Sequence, residues 1–270
     1  MAQEGRFTDG AAYELFMGRW TRVVGAVFLE WVAVPAGARW LDIGCGTGIF
    51  TELVLDTCSP KSMVAVDPSE AQIGVARGKG VAQRADFRMA DAQSLPFPDE
   101  DFDAVVSALV INFVPDRPRA LAEMRRVARP GGVVAGYVWD FAAGGSPVAS
   151  IRAALCRIGA APPPVPGTED SGLEALAGLF AGAGLKGVAS RTIDVTTSFP
   201  DFEDFWRKQT PAYSPTGNAV ASLSDGDRGK LIELVRASLP PGPDGSISCS
   251  ARANAVKARV PERGNAGRRK

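Results

Sequence analysis

The chain of 270 residues contains no histidine, and that absence removes more chemistry than any other feature of its composition. Ser-His-Asp and Cys-His catalysis, imidazole proton shuttles and histidine-ligated metals are all excluded, and no metal site is expected. Cysteine is scarce as well. Cys45, Cys58, Cys156 and Cys249 lie far apart, with neither a C-x-x-C pair nor metal-ligand spacing, which is simplest to read as a reduced, cytoplasmic protein. There is no excess of either charge: 30 Lys and Arg face 30 Asp and Glu, so the overall balance points to no nucleic-acid partner and no acidic substrate. Long apolar runs are missing too. The start "MAQEGRFTDG" lacks a basic segment followed by an apolar block, and the apolar stretch 23–34 is broken by Glu30, so a soluble, unexported protein without a membrane partner is expected. What is present is 46% hydrophobic residues, enough for a sizeable core without staples.

Periodicity supplies the organisation. Residues 12–33 carry Leu15, Phe16, Trp20, Val23, Val24, Val27, Phe28 and Trp31 at helical spacing, predicting one or two amphipathic helices that Pro35 and Gly37 end. Then short β-branched runs alternate with helical patterns: "RWLDIG" and 49–57, "SMVAVD" and 69–78, "ADFRMA", a loop, and "FDAVVSA". Such alternation implies right-handed crossovers and a parallel sheet. A helix over 117–128 with Asp116 as N-cap should stop at "RPGG", before the strand "VVAGYVW". Loops rich in Gly, Ala and Pro then surround a helix near 148–158. Helices over 171–184, 201–209 and 224–238 and strands "KGVASRTIDVTT" and "SISCSARANAVKARV" complete the reading. The basic end "PERGNAGRRK" reads as a solvated tail, with RNA binding as the alternative.

The stretch "WLDIGCGTGIF" at 40–50 carries the chemistry. An apolar strand ending at Ile43, then Gly44, Gly46 and Gly48 at alternate positions, then a helix, presents backbone N–H groups to a ligand without obstructing Cβ atoms. The dinucleotide fingerprint G-x-G-x-x-G would need its third glycine at Ile49, so the nicotinamide reading weakens. Asp42, before the first glycine, suits a cationic ligand better than a pyrophosphate. Asp67, about 20 residues after Gly48, has the reach to accept both hydroxyls of a ribose. Plainer roles exist for each: a tight turn for the glycines, and caps for Asp67 and Asp91. Trp20, Trp31 and Trp40 fall on apolar faces and read as core, and Cys45 as a small filler rather than a nucleophile.

"LDIGCGTG" resembles motif I of the class I S-adenosylmethionine-dependent methyltransferases, and "ADAQSLPFPDEDFDAVVS" at 90–107 resembles the next two motifs. "LPFPDEDFD" and "ALAEMRRVARPGG" narrow the resemblance to the group similar to ubiquinone and menaquinone C-methyltransferases, and "YELFMGRW" at 13–20 to a bacterial subset of it. The resemblance covers 13–140. It implies S-adenosyl-L-methionine as cofactor and S-adenosyl-L-homocysteine as product, with Tyr13 and Arg19 near the methionine end and Asp42, Gly44, Cys45, Gly46 and Gly48 around the cofactor. Asp67 and Pro68 would lie at the ribose, Asp91 at the adenine amino group and Ala92 at a ring nitrogen, with Ser107 also at the cofactor. The expected fold is a Rossmann-like α/β three-layer sandwich: a seven-stranded, mostly parallel sheet with an antiparallel last strand, N-terminal helices and a helical insert. Its expected parts are a helical cap at 1–34, the cofactor-binding core at 35–141, a C-terminal half at 142–260 and a flexible basic tail at 261–270.

Where related enzymes often carry histidine after strand four, this chain reads "ALVINFVPD". Asn112 can hydrogen-bond an acceptor but cannot take its proton at neutral pH, which leaves Asn112, Asp140 and Tyr137 as candidate catalytic residues, with no base singled out. The acceptor pocket should come from the N-terminal helices, the segment after strand four and the insert at 145–215. Phe16, Phe113, Trp139, Phe141, Phe202, Phe205, Trp206 and Tyr213 favour an apolar or aromatic small-molecule guest. No N/D-P-P-Y/F motif follows strand four, so nucleic acid is not the expected acceptor. The expected state is monomer or homodimer. A non-catalytic S-adenosylmethionine-binding regulator is the rival reading, and a nicotinamide-dependent oxidoreductase a third.

Overall fold

Seven strands form one sheet in the order β3-β2-β1-β4-β5-β7-β6. The computed structural model describes residues 10–162, 164–212 and 214–263, with side chains from residue 14. Helix α1 (Gly10–Val32) leads into β1 (Arg39–Ile43), α2 (Ile49–Thr57), β2 (Ser62–Asp67), α3 (Glu70–Arg77), β3 (Asp86–Met89), β4 (Phe102–Ala108), α4 (Arg117–Val127) and β5 (Ala128–Trp139). Helices α5 (Ala149–Arg157) and α6 (Leu173–Gly182) follow, then β6 (Lys186–Phe199), α7 (Phe202–Gln209), α8 (Pro215–Ala221), α9 (Asp225–Ser238) and β7 (Ile247–Arg259).

Strands β1 to β5 pair in parallel, and β7 runs antiparallel between β5 and β6. This is the predicted architecture. The central strands are covered on both faces and therefore read as continuous apolar runs. On one face Trp20, Val24 and Phe28 of α1 and Phe50 of α2 pack on Trp40, Tyr137 and Trp139, while on the other Leu121, Met124 and Phe180 of α4 and α6 cover Leu41, Ile43, Val105 and Val134. Trp20 and Trp40 are buried core residues, as their spacing predicts.

Local signals set several boundaries. The Asp116 carboxylate accepts the Arg119 N–H at 3.0 Å at the start of α4, the expected N-cap. The 12–33 pattern is one helix rather than two. One expectation is corrected: "RPGG" lies inside β5, where the β4–β5 register shifts between Phe102 and Ala104 and Gly131 takes φ +73°; α8, a helix of seven residues, has no counterpart in the sequence reading.

The chain turns from β1 toward β2 and β3 on one side, then places β4 on the other. That reversal opens a crevice at the carboxyl ends of β1 and β4, the place where sheets of this kind hold ligands.

Candidate active site at the carboxyl ends of the strands

The glycine loop is built on backbone conformations that side chains disfavour. Gly44, Gly46 and Gly48 have φ of +76°, +54° and +84°. Gly48 stands at the N-cap of α2, so the third glycine belongs to the turn and not to the helix interior, as its register predicts. A Cβ on Gly46 would meet nothing nearer than Gln72 Oε1 at 3.8 Å, so a ligand can approach the backbone there.

Two carboxylates border this loop. Asp67 Oδ2 accepts the Gly46 N–H and Oδ1 the Ser69 N–H, both at 2.9 Å. The helix cap itself is Ser69, whose hydroxyl accepts from Gln72 N–H. Asp67 thus ties the end of β2 to the loop and keeps lone pairs for further donors. Asp42 is fully buried; its Oδ2 accepts the Thr51 hydroxyl at 2.7 Å, and Oδ1 has no partner among the described residues. Burial raises the Asp42 pKa to about 7, opposed by the Thr51 hydrogen bond and assisted by the charge of Asp67. Burial also raises Asp67 and pushes the Cys45 thiol well up, so Cys45 is not a ready thiolate. A cation entering here would relieve both acids.

The Asp42 shift sets a pH dependence. Between its ordinary value of 3.8 and the folded value of about 7, the unfolded chain has released this proton while the folded chain retains it. The unfolded state binds fewer protons, so stability falls as pH rises through that window and levels above it. Asp42→Asn is expected to remove a decline of a few kcal/mol from urea-denaturation free energies measured across the window. An unchanged slope would assign the decline to other groups.

A cavity of about 300 Å³ lies in the crevice, lined by Ile43 at the end of β1 and Gly44 after it, Pro68 after β2, Ala90 to Gln93 after β3, and Val110 and Phe113 to Pro115 after β4. Gly44, Pro68, Asp91 and Ala92 are therefore brought together. The exposed Asp91 carboxylate closes a turn on Gln93, accepting its backbone N–H at 2.8 Å. Ser107 is buried in β4 and lines neither this cavity nor the next. The Arg19 guanidinium donates to the Ser198 carbonyl and stands over the Phe199 ring, against β6. The Tyr13 and Tyr213 side chains fall outside the described residues.

A second cavity, of about 100 Å³, is almost wholly apolar: Phe16 and Met17 of α1, Leu109 and Phe113 after β4, Trp139 and Phe141 at the end of β5, residues 146–148 and 152, and segments 164–166 and 214–216. Phe113 belongs to both cavities. Phe202 and Phe205 do not line it, contrary to expectation, because α7 turns them into the core against Phe199, and Trp206 stacks on Phe202.

Asn112 donates from Nδ2 to the Pro166 carbonyl at 3.1 Å, joining the turn after β4 to the insert. Asp140, between the cavity residues Trp139 and Phe141, accepts the Ala143 N–H at 3.0 Å. Tyr137 is enclosed between Phe28 and Phe50 and lines neither cavity. One positioning contact has no local signal in the sequence: Lys79 Nζ donates to the Thr47 carbonyl at 3.0 Å and pairs with Glu14 at 2.8 Å, tying the glycine loop to α1. Nor was Leu109 foreseen, which holds φ +62° beside the cavities, a strained conformation typical of functional sites.

Among the described residues, no helix is long and apolar enough to cross a membrane. Residues 41–136 match the methyltransferase domain family. The malonyl-[acyl-carrier protein] O-methyltransferase of Serratia marcescens is 36% identical over 113 residues, which are 42% of this chain and 43% of that protein. The ubiquinone/menaquinone biosynthesis C-methyltransferase UbiE of Saccharophagus degradans is 38% identical over 109 residues, 38% of this chain and 44% of its own. The chain thus spans under half the length of these two curated relatives. In fold it is similar to the YcgJ protein from Bacillus subtilis, with a TM-score of 0.57 at 20% identity over 89% of this chain and 99% of that one. With a glycine loop of this register at the switch point of the sheet, residues 41–136 form a methyltransferase domain of the class I, S-adenosylmethionine-dependent family.

Proposed function

We propose that the protein transfers a methyl group from S-adenosylmethionine to an O, N or C atom of an apolar or aromatic small molecule. The observation that carries this reading is the pair of cavities sharing Phe113, one at the glycine loop and one lined by aromatic and aliphatic side chains. The residues fit the cofactor. The unpartnered Asp42 oxygen and the acidic pair Asp42 and Asp67 suit a cationic ligand, and the open side of Gly46 admits its approach.

Bound S-adenosylmethionine supplies a methyl group already attached to a good leaving group, a sulfonium. The chain then needs chiefly to align the acceptor and exclude water. Asp67 would accept from the ribose, and Asp91 and Ala92 would meet the adenine at the wall of the larger cavity. Tyr13, Arg19, Cys45 and Ser107 complete the proposed cofactor set. Phe16, Phe113, Trp139 and Phe141 would enclose the acceptor. Where that acceptor carries a proton, Asp140 is the carboxylate adjoining the cavity wall.

Titration calorimetry is expected to show binding of S-adenosylmethionine and none of NAD; binding of NAD alone would reject this function. A screen with labelled methyl cofactor separates an enzyme from a regulator of the same fold, since turnover of any acceptor dismisses a binding-only role.

A further inference from the structure

The turn after β3 is clamped to α4 through its polar groups. The Leu95 N–H donates to Glu123 Oε2 at 2.8 Å, and the Arg119 guanidinium donates to the Gln93 carbonyl at 2.7 Å. The Gln93 side chain makes a further link. Its Oε1 accepts the backbone N–H of Asp116, the N-cap residue of α4, at 3.1 Å, while its Nε2 donates to both Asp91 oxygens at 3.0 Å. Gln93 is half-buried and lines the larger cavity together with Asp91 and Ala92.

The chemistry of these partners fixes the amide. A backbone N–H needs an acceptor and a carboxylate needs donors, so only one orientation of the Gln93 amide satisfies both ends. Glutamate at this position could serve Asp116 but would set an oxygen against Asp91. Closing the turn does not require the side chain, because the Gln93 backbone N–H already does so on Asp91 Oδ1 at 2.8 Å. The bonds also divide the Asp91 lone pairs. Oδ1 accepts both the backbone N–H and Nε2 of Gln93, whereas Oδ2 accepts Nε2 alone. A carboxylate oxygen has about two acceptor sites, so Oδ2 keeps one for a ligand donor.

We propose that Gln93 is a positioning residue for the adenine end of the cofactor: it fastens the Asp91 carboxylate to α4 so that Oδ2 presents its remaining lone pair to one donor, the 6-amino group. This rests on the cofactor site proposed above, in which Asp91 meets the adenine, and adds the residue that makes the contact selective. A carboxylate free to turn on an exposed loop must be ordered when the ligand arrives, whereas one held at both oxygens is ordered beforehand.

The test uses the full chain and two ligands, S-adenosyl-L-homocysteine and its analogue with hydrogen in place of the 6-amino group, each titrated calorimetrically. The unaltered chain is expected to bind the amino compound about tenfold more tightly or better, the effect of one hydrogen bond to a charged group. Gln93→Met, which keeps a similar volume, and Gln93→Glu, which keeps the acceptor for Asp116, should each narrow that ratio to about threefold or less. The narrowing should come from weaker binding of the amino compound, and retained affinity for the hydrogen analogue reports that each variant is folded. A ratio that survives in either variant would overturn the proposal. An equal loss for both ligands would do the same, since that is the result expected of a residue that only staples the turn to α4. No preference in the unaltered chain would also overturn it, because Asp91 would then not meet the amino group. Failure of the unaltered chain to bind S-adenosyl-L-homocysteine at all would instead overturn the cofactor site on which the proposal rests.

Discussion

Gly44→Ala is expected to destabilise the fold by about 2 to 4 kcal/mol. Two costs add. The residue holds φ +76°, where any Cβ is strained, and the new Cβ would stand 2.3 and 2.5 Å from the two Cγ atoms of Val110 and 2.8 Å from its Cβ. Those distances are far inside contact, and Val110 is itself held in the wall of the larger cavity with Gly44. Urea denaturation of the single variant and of Gly44→Ala with Val110→Ala separates the two. Removing both Cγ atoms should recover part of the loss, while the backbone strain and the close Cβ pair persist. A loss under about 0.5 kcal/mol, the range of neutral surface substitutions, would show that the turn relaxes freely.

Asp67→Ala is expected to weaken S-adenosylmethionine binding by about 1.5 to 3 kcal/mol, the usual worth of hydrogen bonds to a charged group, or roughly 10- to 150-fold in Kd. Its carboxylate holds the Gly46 and Ser69 N–H groups, so the variant should also speed hydrogen exchange at the Gly46 amide. Calorimetry and exchange together divide the roles. Faster exchange with unchanged affinity would make Asp67 a tether of the loop alone. Loss of affinity with unchanged exchange would make it a ligand of the cofactor alone.

Much of this site is legible in the sequence because it is local. Three glycines at alternate positions directly after a strand call for a turn with positive φ, and Gly48 at the N-cap of α2 confirms the register that disfavours a dinucleotide. Counting along β1 and β2 places Asp42 and Asp67 at strand ends, and the sheet puts them there. The aromatic residues of α7 show where such reasoning stops. Phe202 and Phe205 looked suited to a pocket, but an aromatic face at helical spacing is equally suited to a core, and packing against Phe199 decides between them.

The sequence by itself determined the alternation of strands and helices, the seven-stranded sheet, the glycine turn and the two acids beside it, all of which follow from period, turn chemistry and short spacings. Only the tertiary structure decided which side chains meet across long separations. It joined Lys79 to Thr47 and Glu14, carried Asn112 to Pro166, and gathered Phe16, Phe113, Trp139 and Phe141 around one cavity. The physical reason is that a cavity is the space left when distant elements pack, and its lining depends on volumes and crossing geometry that no local pattern encodes.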